Sequence, residues 1–146
     1  MLALLQHPQQ YELLRSNPQL IGSAVEEMLR YNQPVQSIIR CAKEDIAIGK
    51  HTIRAGQYIR ILTWAIHHNP NYFSDPQRFD IQRGASKHLA FGAGIHYCLG
   101  QALARLVAGI AIPPLLARFE CLTVLDKEPA WFGGVIFRGL TNLRVR

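Results

Sequence analysis

Apolar residues recur at helical spacing early in the chain. Leu20, Ala24, Met28 and Tyr31 fall on one stripe and Ile21, Val25 and Leu29 on a second, so a helix ending near residue 31 is apolar on more than one side and should be well buried. Asn17-Pro18 gives it a cap and first-turn signal, and Pro8 opens the preceding helix, which runs to residue 15. Residues 1–6 read as a short apolar helical tail with no cap before it, which suggests a chain that begins inside a structure. From Val35 the period becomes extended. VQSIIRC, DIAI, HTI and QYIRIL are short β-prone runs separated by turn chemistry at Gly49-Lys50 and Arg54-Ala55-Gly56, and they predict a small, mostly antiparallel sheet. Residues 64–69 form a short helix stopped by Pro70, with His67 and His68 expected in solvent. Residues 71–88, rich in Asn, Asp, Pro, Gly and Ser, read as an ordered loop whose turns around Pro76 and Phe79 pack on the helix carrying Glu27 and Arg30. A last helix includes Leu103, Leu106, Val107 and Ile110. Pro113 and Pro114 should kink or divide it, since each removes a backbone donor. CLTVL and GVIFRGLTNLRVR then read as hairpin strands.

Composition narrows the class. With 146 residues, 49% of them hydrophobic, the chain can bury one core and reads as globular. It has no apolar run long enough to span a bilayer and no secretory leader pattern. Its three cysteines, Cys41, Cys98 and Cys121, make no paired framework, which fits a reducing, cytoplasmic setting. A net charge of +6 permits an acidic partner. The basic residues are scattered rather than gathered on one helix, which argues against a nucleic-acid-binding module.

The chemistry gathers in residues 91–105, FGAGIHYCLGQALAR. Cys98 lies between a glycine-rich turn and a helical run, so its sulfur sits near a helix N-terminus, where exposed N–H groups and the helix dipole favour thiolate, the metal-binding form. Gly92 and Gly94 permit a tight turn, and Gly100 lets the new helix approach something flat. A structural buried thiol is the bland alternative. Zinc is a weaker reading, because His96 and Cys98 lack a second ligand pair at the usual spacing. Upstream, Glu27 and Arg30 are three apart and therefore neighbours on a helix surface. An exposed ion pair is the ordinary reading of such a spacing.

Phe91, Gly92, Gly94, His96, Cys98, Leu99 and Gly100, preceded in order by Glu27-x-x-Arg30, closely resemble the cysteine-ligand loop and second signature of the cytochrome P-450 family, the haem-thiolate monooxygenases. The resemblance implies an α+β, mainly α fold, with residues 1–146 as the C-terminal, haem-binding portion of a bacterial soluble-type P-450 domain lacking the distal-face helices. It implies haem b (iron protoporphyrin IX) with Cys98 as the iron ligand and catalytic residue. Phe91 then packs beside the sulfur, His96 and Arg40 reach haem propionates, and Gly92, Leu99 and Gly100 complete the cofactor-binding loop. Glu27 and Arg30 join Arg78 in a buried ion triad. Gln36, Ser37 and Ile38, with Ile136 and Phe137 from the terminal hairpin, face the substrate pocket, although Ile136 and Phe137 would look the same as plain hairpin core. His88 is a satisfied structural histidine beside Phe91. The implied activity inserts one oxygen atom of O2 into a small apolar substrate, with NAD(P)H electrons arriving through a ferredoxin or flavodoxin-type donor and with neither nucleic acid nor membrane as partner. The family's acid-alcohol pair for proton delivery is absent, so uncoupled chemistry, or a non-catalytic haem-binding or interaction remnant, is the rival reading.

Overall fold

The protein is described by a computed structural model, which covers residues 1–84 and 87–146. Residues 85 and 86, part of the predicted loop, lie outside the described residues. Two short helices, α1 (Leu2–Leu5) and α2 (Pro8–Ser16), lead through a 3-10 turn at Pro18–Leu20 into α3 (Ile21–Tyr31). Pro8 and Pro18 stand in the first turns of their elements, where the missing N–H costs nothing. Four short strands follow, β1 (Ile38–Cys41), β2 (Ile46–Ile48), β3 (His51–Ile53) and β4 (Tyr58–Ile61), then α4 (Thr63–His67) and the long α5 (Gln101–Arg118). The chain closes with β5 (Trp131–Gly133) and β6 (Arg138–Leu140).

The helices make the core. Leu4, Leu14, Ala24 and Ile81 are essentially sealed from solvent and pack with Tyr11, Val25, Phe79, Ile112 and Leu116. The Tyr11 hydroxyl, 2.8 Å from the Phe119 carbonyl, donates to the end of α5 and ties it to α2. The double stripe on α3 is matched by its burial, since only Gly22 on that helix is exposed.

The strands are antiparallel as predicted, but they form separate two-stranded ribbons rather than one sheet. β1 pairs with β4, placing Arg40 opposite Ile59, and β2 pairs with β3. The sequence alternation marked the runs but held no information on which faces would join. The terminal ribbon differs too. Its first strand is Trp131–Gly133, whereas CLTVL contributes only an isolated bridge, Val124 with Val145. The Arg138 guanidinium over the Trp131 ring, 3.8 Å from its centroid, holds the β5–β6 pair.

A second difference lies in α5, which runs undivided through Pro113 and Pro114. Their missing N–H groups release the carbonyls of Gly109 and Ile110, but Ile112 and Leu116 on either side of the pair are buried against the other helices. Tertiary packing therefore outweighs the local penalty. The opposite face of α5 is open, with Leu103, Leu106, Val107 and Ile110 all more than half exposed. No helix among the described residues is long and apolar enough to cross a membrane. Pro114 is exposed, so Pro114→Ala returns a donor to the Ile110 carbonyl and should raise stability by about 1–3 kcal/mol, measured by urea denaturation. An unchanged midpoint would show that the prolines carry no residual cost.

Candidate active site

The loop before α5 is built by three backbone hydrogen bonds. Gly92 N–H donates to Leu89 O at 2.9 Å, Tyr97 N–H to Gly94 O at 3.0 Å and Cys98 N–H to Phe91 O at 2.9 Å. Gly92 and Gly94 have φ of +74° and +68°, left-handed conformations that a side chain would strain. A 3-10 turn at Gly94–His96 then delivers Cys98, whose carbonyl accepts from Gln101 N–H, the first residue of α5, at 3.3 Å. Cys98 is a free, exposed cysteine in this chain. Its neighbours Ile95 and Leu99 are 98% and 100% exposed. A Cβ at Gly100 would meet only the Cys98 Sγ, at 4.0 Å, so this glycine keeps one flank of the sulfur clear.

Glu27 and Arg30 are buried rather than solvated, at 2% and 0% exposure. Arg30 Nε and Nη2 donate to the two Glu27 carboxylate oxygens at 2.7 and 2.9 Å. Its other donors reach the carbonyls of His67 (2.8 Å), Pro76 (3.0 Å) and Arg78 (3.3 Å). These five bonds use every N–H of the guanidinium. Arg78 itself corrects the sequence reading. Its side chain is 63% exposed and lies 3.5 Å from Asp80, so it contributes only a carbonyl. The second guanidinium on Glu27 is that of Arg83, with Nε at 3.2 Å. Arg83 also donates to the carbonyls of Ser74, Asp75 and Arg78, because the turn through residues 75–83 points the later arginine inward.

The same arrangement of elements recurs in known proteins. The family model for cytochrome P450 matches residues 8–135. The chain belongs to that family. A biotin biosynthesis cytochrome P450 of Bacillus subtilis is 49% identical over 99% of this chain and 36% of its own length. The cytochrome P450 monooxygenase PikC of Streptomyces venezuelae is 44% identical over all of this chain and 36% of its own. The crystal structure of P450BioI in complex with hexadec-9Z-enoic acid ligated acyl carrier protein superposes with a TM-score of 0.93 at 48% identity, covering 99% of this chain and 37% of that one. The chain thus spans about 36% of the length of the curated relatives it matches, and its fold is a partial P450 fold.

The residues of this P450 chain fit a haem. Among the described residues no three His, Cys, Asp or Glu side chains converge into a metal cage, so a metal bound at Cys98 would carry its other ligands with it, as the iron of a porphyrin does. Cys98 is exposed, and so are the apolar Ile95, Leu99 and Leu103 in the same stretch of chain. Arg40 is half-buried on β1, with Nη1 donating to the Ile39 carbonyl, and His96 is exposed in the loop.

Two side-chain braces behind the loop were not anticipated. Glu26 accepts from Arg105 Nε and Nη2 at 2.6 and 2.9 Å, and Arg105 lies over the Phe91 ring, 4.5 Å from its centroid. The Arg105–Glu26 hydrogen bonds hold the Glu26 carboxyl below the usual carboxylate range. His88 is the satisfied structural histidine expected. Its side chain is 2% exposed, Nε2 lies 2.9 Å from Glu26, and the ring sits 6.2 Å from that of Phe91. His67, expected in solvent, is fully buried. As the last residue of α4 it turns inward, its ring 5.9 Å from His88 and 6.0 Å from Phe73. His68 remains half-buried, stacked on Trp64. Adjacent histidines on a five-residue helix carried no signal to say which one faces the core.

The residues named for the substrate pocket come together from both ends of the chain. Val35 bridges Phe137, Gln36 N–H donates to Ile136 O at 2.7 Å, and Ser37 Oγ donates to Val135 O at 2.9 Å. Ser37 is fully buried with its hydroxyl occupied, so it is a joint between segments and not a pocket-facing group. Gln36 Nε2 donates to the Gln33 carbonyl. Ile38 and Ile136 are half-buried and Phe137 is 61% exposed.

Glu27→Ala should cost about 3–5 kcal/mol in urea denaturation, because Arg30 and Arg83 are left without their anion. Arg78→Ala should stay within about 0.5 kcal/mol, and a larger loss there would restore Arg78 to the triad. Burial pushes His67 down to about 4 from an ordinary 6.5. The unfolded chain therefore binds the extra proton first. His67 contributes its full stability above pH 6.5, and the contribution falls as pH drops toward 4. The difference is on the order of 2 kcal/mol after allowance for solvent screening. His67→Asn should flatten the stability–pH curve in that window, as read by urea midpoints at stepped pH. His88, lowered by desolvation in the same direction, keeps a smaller slope in the variant.

Proposed function

We propose that this chain is the iron-ligating C-terminal portion, residues 1–146, of a haem-thiolate monooxygenase that inserts one oxygen atom of O2 into an apolar organic substrate. The observation that carries this reading is the presentation of Cys98. Its amide is fixed to Phe91 O, its sulfur is open, and it leads directly into the N-terminus of α5. When bound, haem b supplies oxygen activation, and charge donated by a thiolate ligand favours O–O cleavage.

The other residues support that placement. Phe91, pinned by Arg105, forms the wall beside the sulfur, and Gly92, Leu99 and Gly100 shape the surface that meets the macrocycle. Arg40 and His96 are the partners for the propionates, a guanidinium fork and an imidazole ring that can each donate a hydrogen bond to a carboxylate. Ile38, Ile136 and Phe137 contribute one apolar wall of the substrate pocket, with Gln36 beside them. Glu27, Arg30 and Arg83 hold the scaffold without touching the reaction.

Electrons come from NAD(P)H through a ferredoxin or flavodoxin-type donor, to which the net charge of +6 is complementary. The absence of paired cysteines supports a cytoplasmic setting. The long acyl chain carried by the partner in the P450BioI structure supports an aliphatic substrate here.

The ferrous, carbon-monoxide-bound protein loaded with haem should show the thiolate-type Soret band, and Cys98→Ala should lose it while retaining its far-UV circular dichroism. A variant that kept the band would refute the ligand assignment. Haem binding with no turnover in the presence of redoxin and reductase would indicate a haem-binding module instead of an enzyme.

A further inference from the structure

His67 has no role in the chemistry described above, yet its ring is fully buried and both nitrogens are engaged. Nδ1 lies 3.1 Å from the Arg30 carbonyl, in the last turn of α3. Nε2 lies 2.7 Å from the Leu89 amide, at the root of the cysteine loop. A carbonyl can only accept and an amide N–H can only donate, so the proton belongs on Nδ1 and the lone pair on Nε2. That is one neutral tautomer, and neither the other tautomer nor the imidazolium satisfies both partners. The residue is also held through its backbone, since Arg30 Nη1 donates to the His67 carbonyl at 2.8 Å. Beyond Leu89 the bonds continue. Leu89 O accepts from Gly92 N–H and Phe91 O from Cys98 N–H, both at 2.9 Å.

We propose that His67 is a positioning residue: as the Nδ1–H tautomer it ties the end of α3 to the Leu89 amide, so that the buried Glu27–Arg30 pair sets the register of the loop that presents Cys98. Without the imidazole acceptor, the Leu89 N–H is left in a partly buried site with no partner, and the turn at residues 89–92 loses its fixed end. The consequence for thiolate presentation rests on Cys98 being the haem ligand; the tie itself does not.

The test uses the protein expressed from its complete reading frame. Nitrogen-15 NMR of the wild-type ring at neutral pH should report a protonated Nδ1 and an unprotonated Nε2 coupled to the Leu89 amide; an Nε2-protonated ring overturns the proposal without any variant. In His67→Leu the Leu89 amide should exchange with solvent at least about tenfold faster, while the Ala24 amide in α3 keeps its rate. His67→Asn, which can still offer an acceptor and a donor, should retain most of the protection. With haem bound, His67→Leu should lose about half or more of the thiolate-type band at equal haem content, and His67→Asn should keep it. Leu89 exchange within about twofold of wild type in His67→Leu would overturn the proposal. If His67→Leu does not fold, the wild-type ring signals and His67→Asn decide. A tie that behaves as expected beside a wild type lacking the thiolate-type band would refute the ligand assignment and leave the tie standing.

Discussion

Burying a guanidinium is costly unless every donor finds an acceptor, and Arg30 meets that condition only when three parts of the chain are in place together. Its own helix supplies the Glu27 carboxylate, α4 supplies the His67 carbonyl, and the following loop supplies the carbonyls of Pro76 and Arg78. Glu27 is equally committed, since one of its oxygens also accepts from the Asp80 amide and from Arg83. Besides seating Phe79 and Ile81 in the core, the irregular loop holds its course because its backbone is the complement of a buried ion pair. This use of a charged pair is one of specificity more than of net stability, because the desolvation cost consumes much of the attraction.

The cysteine loop stands at the far side of that frame. Its conformation comes from three backbone bonds and two left-handed glycines, none of which involves a side chain. Side chains instead hold the loop from behind: His67 at Leu89, Arg105 across Phe91, and His88 between them on Glu26. The exposed part, residues 93–100, makes almost no packing contact of its own. The loop is thus braced behind and open in front.

Much of this was legible in the sequence, for identifiable reasons. α2 and α3 announced themselves because periodicity, proline placement and burial all agree there. The cysteine loop was legible because its glycines are needed for backbone conformations that other residues avoid. The misreadings share a cause. Arg78 and Arg83 both lie in a polar loop without periodicity, so position alone could not say which guanidinium turns inward. His67 and His68 differ by one residue and about 100° of helix, and the tertiary contacts of the His67 ring with Arg30 and Leu89 separate them. Pro113 and Pro114 read as a break because local preference carries no information on the packing of Ile112 and Leu116. Likewise, alternation marked the strands but not the ribbons they form.

The undivided α5 makes the chain intolerant of length change in one interval. Arg105, Ile112 and Leu116 are seven and eleven residues apart, near whole numbers of turns, so the ion contact and the two core anchors share one side of the helix. Adding or deleting a single residue between them would swing Arg105 about 100° away from Glu26 while the anchors stayed seated. The stretch from Arg105 to Leu116 therefore behaves as a ruler of fixed count, a constraint that the coil after Phe119 does not share.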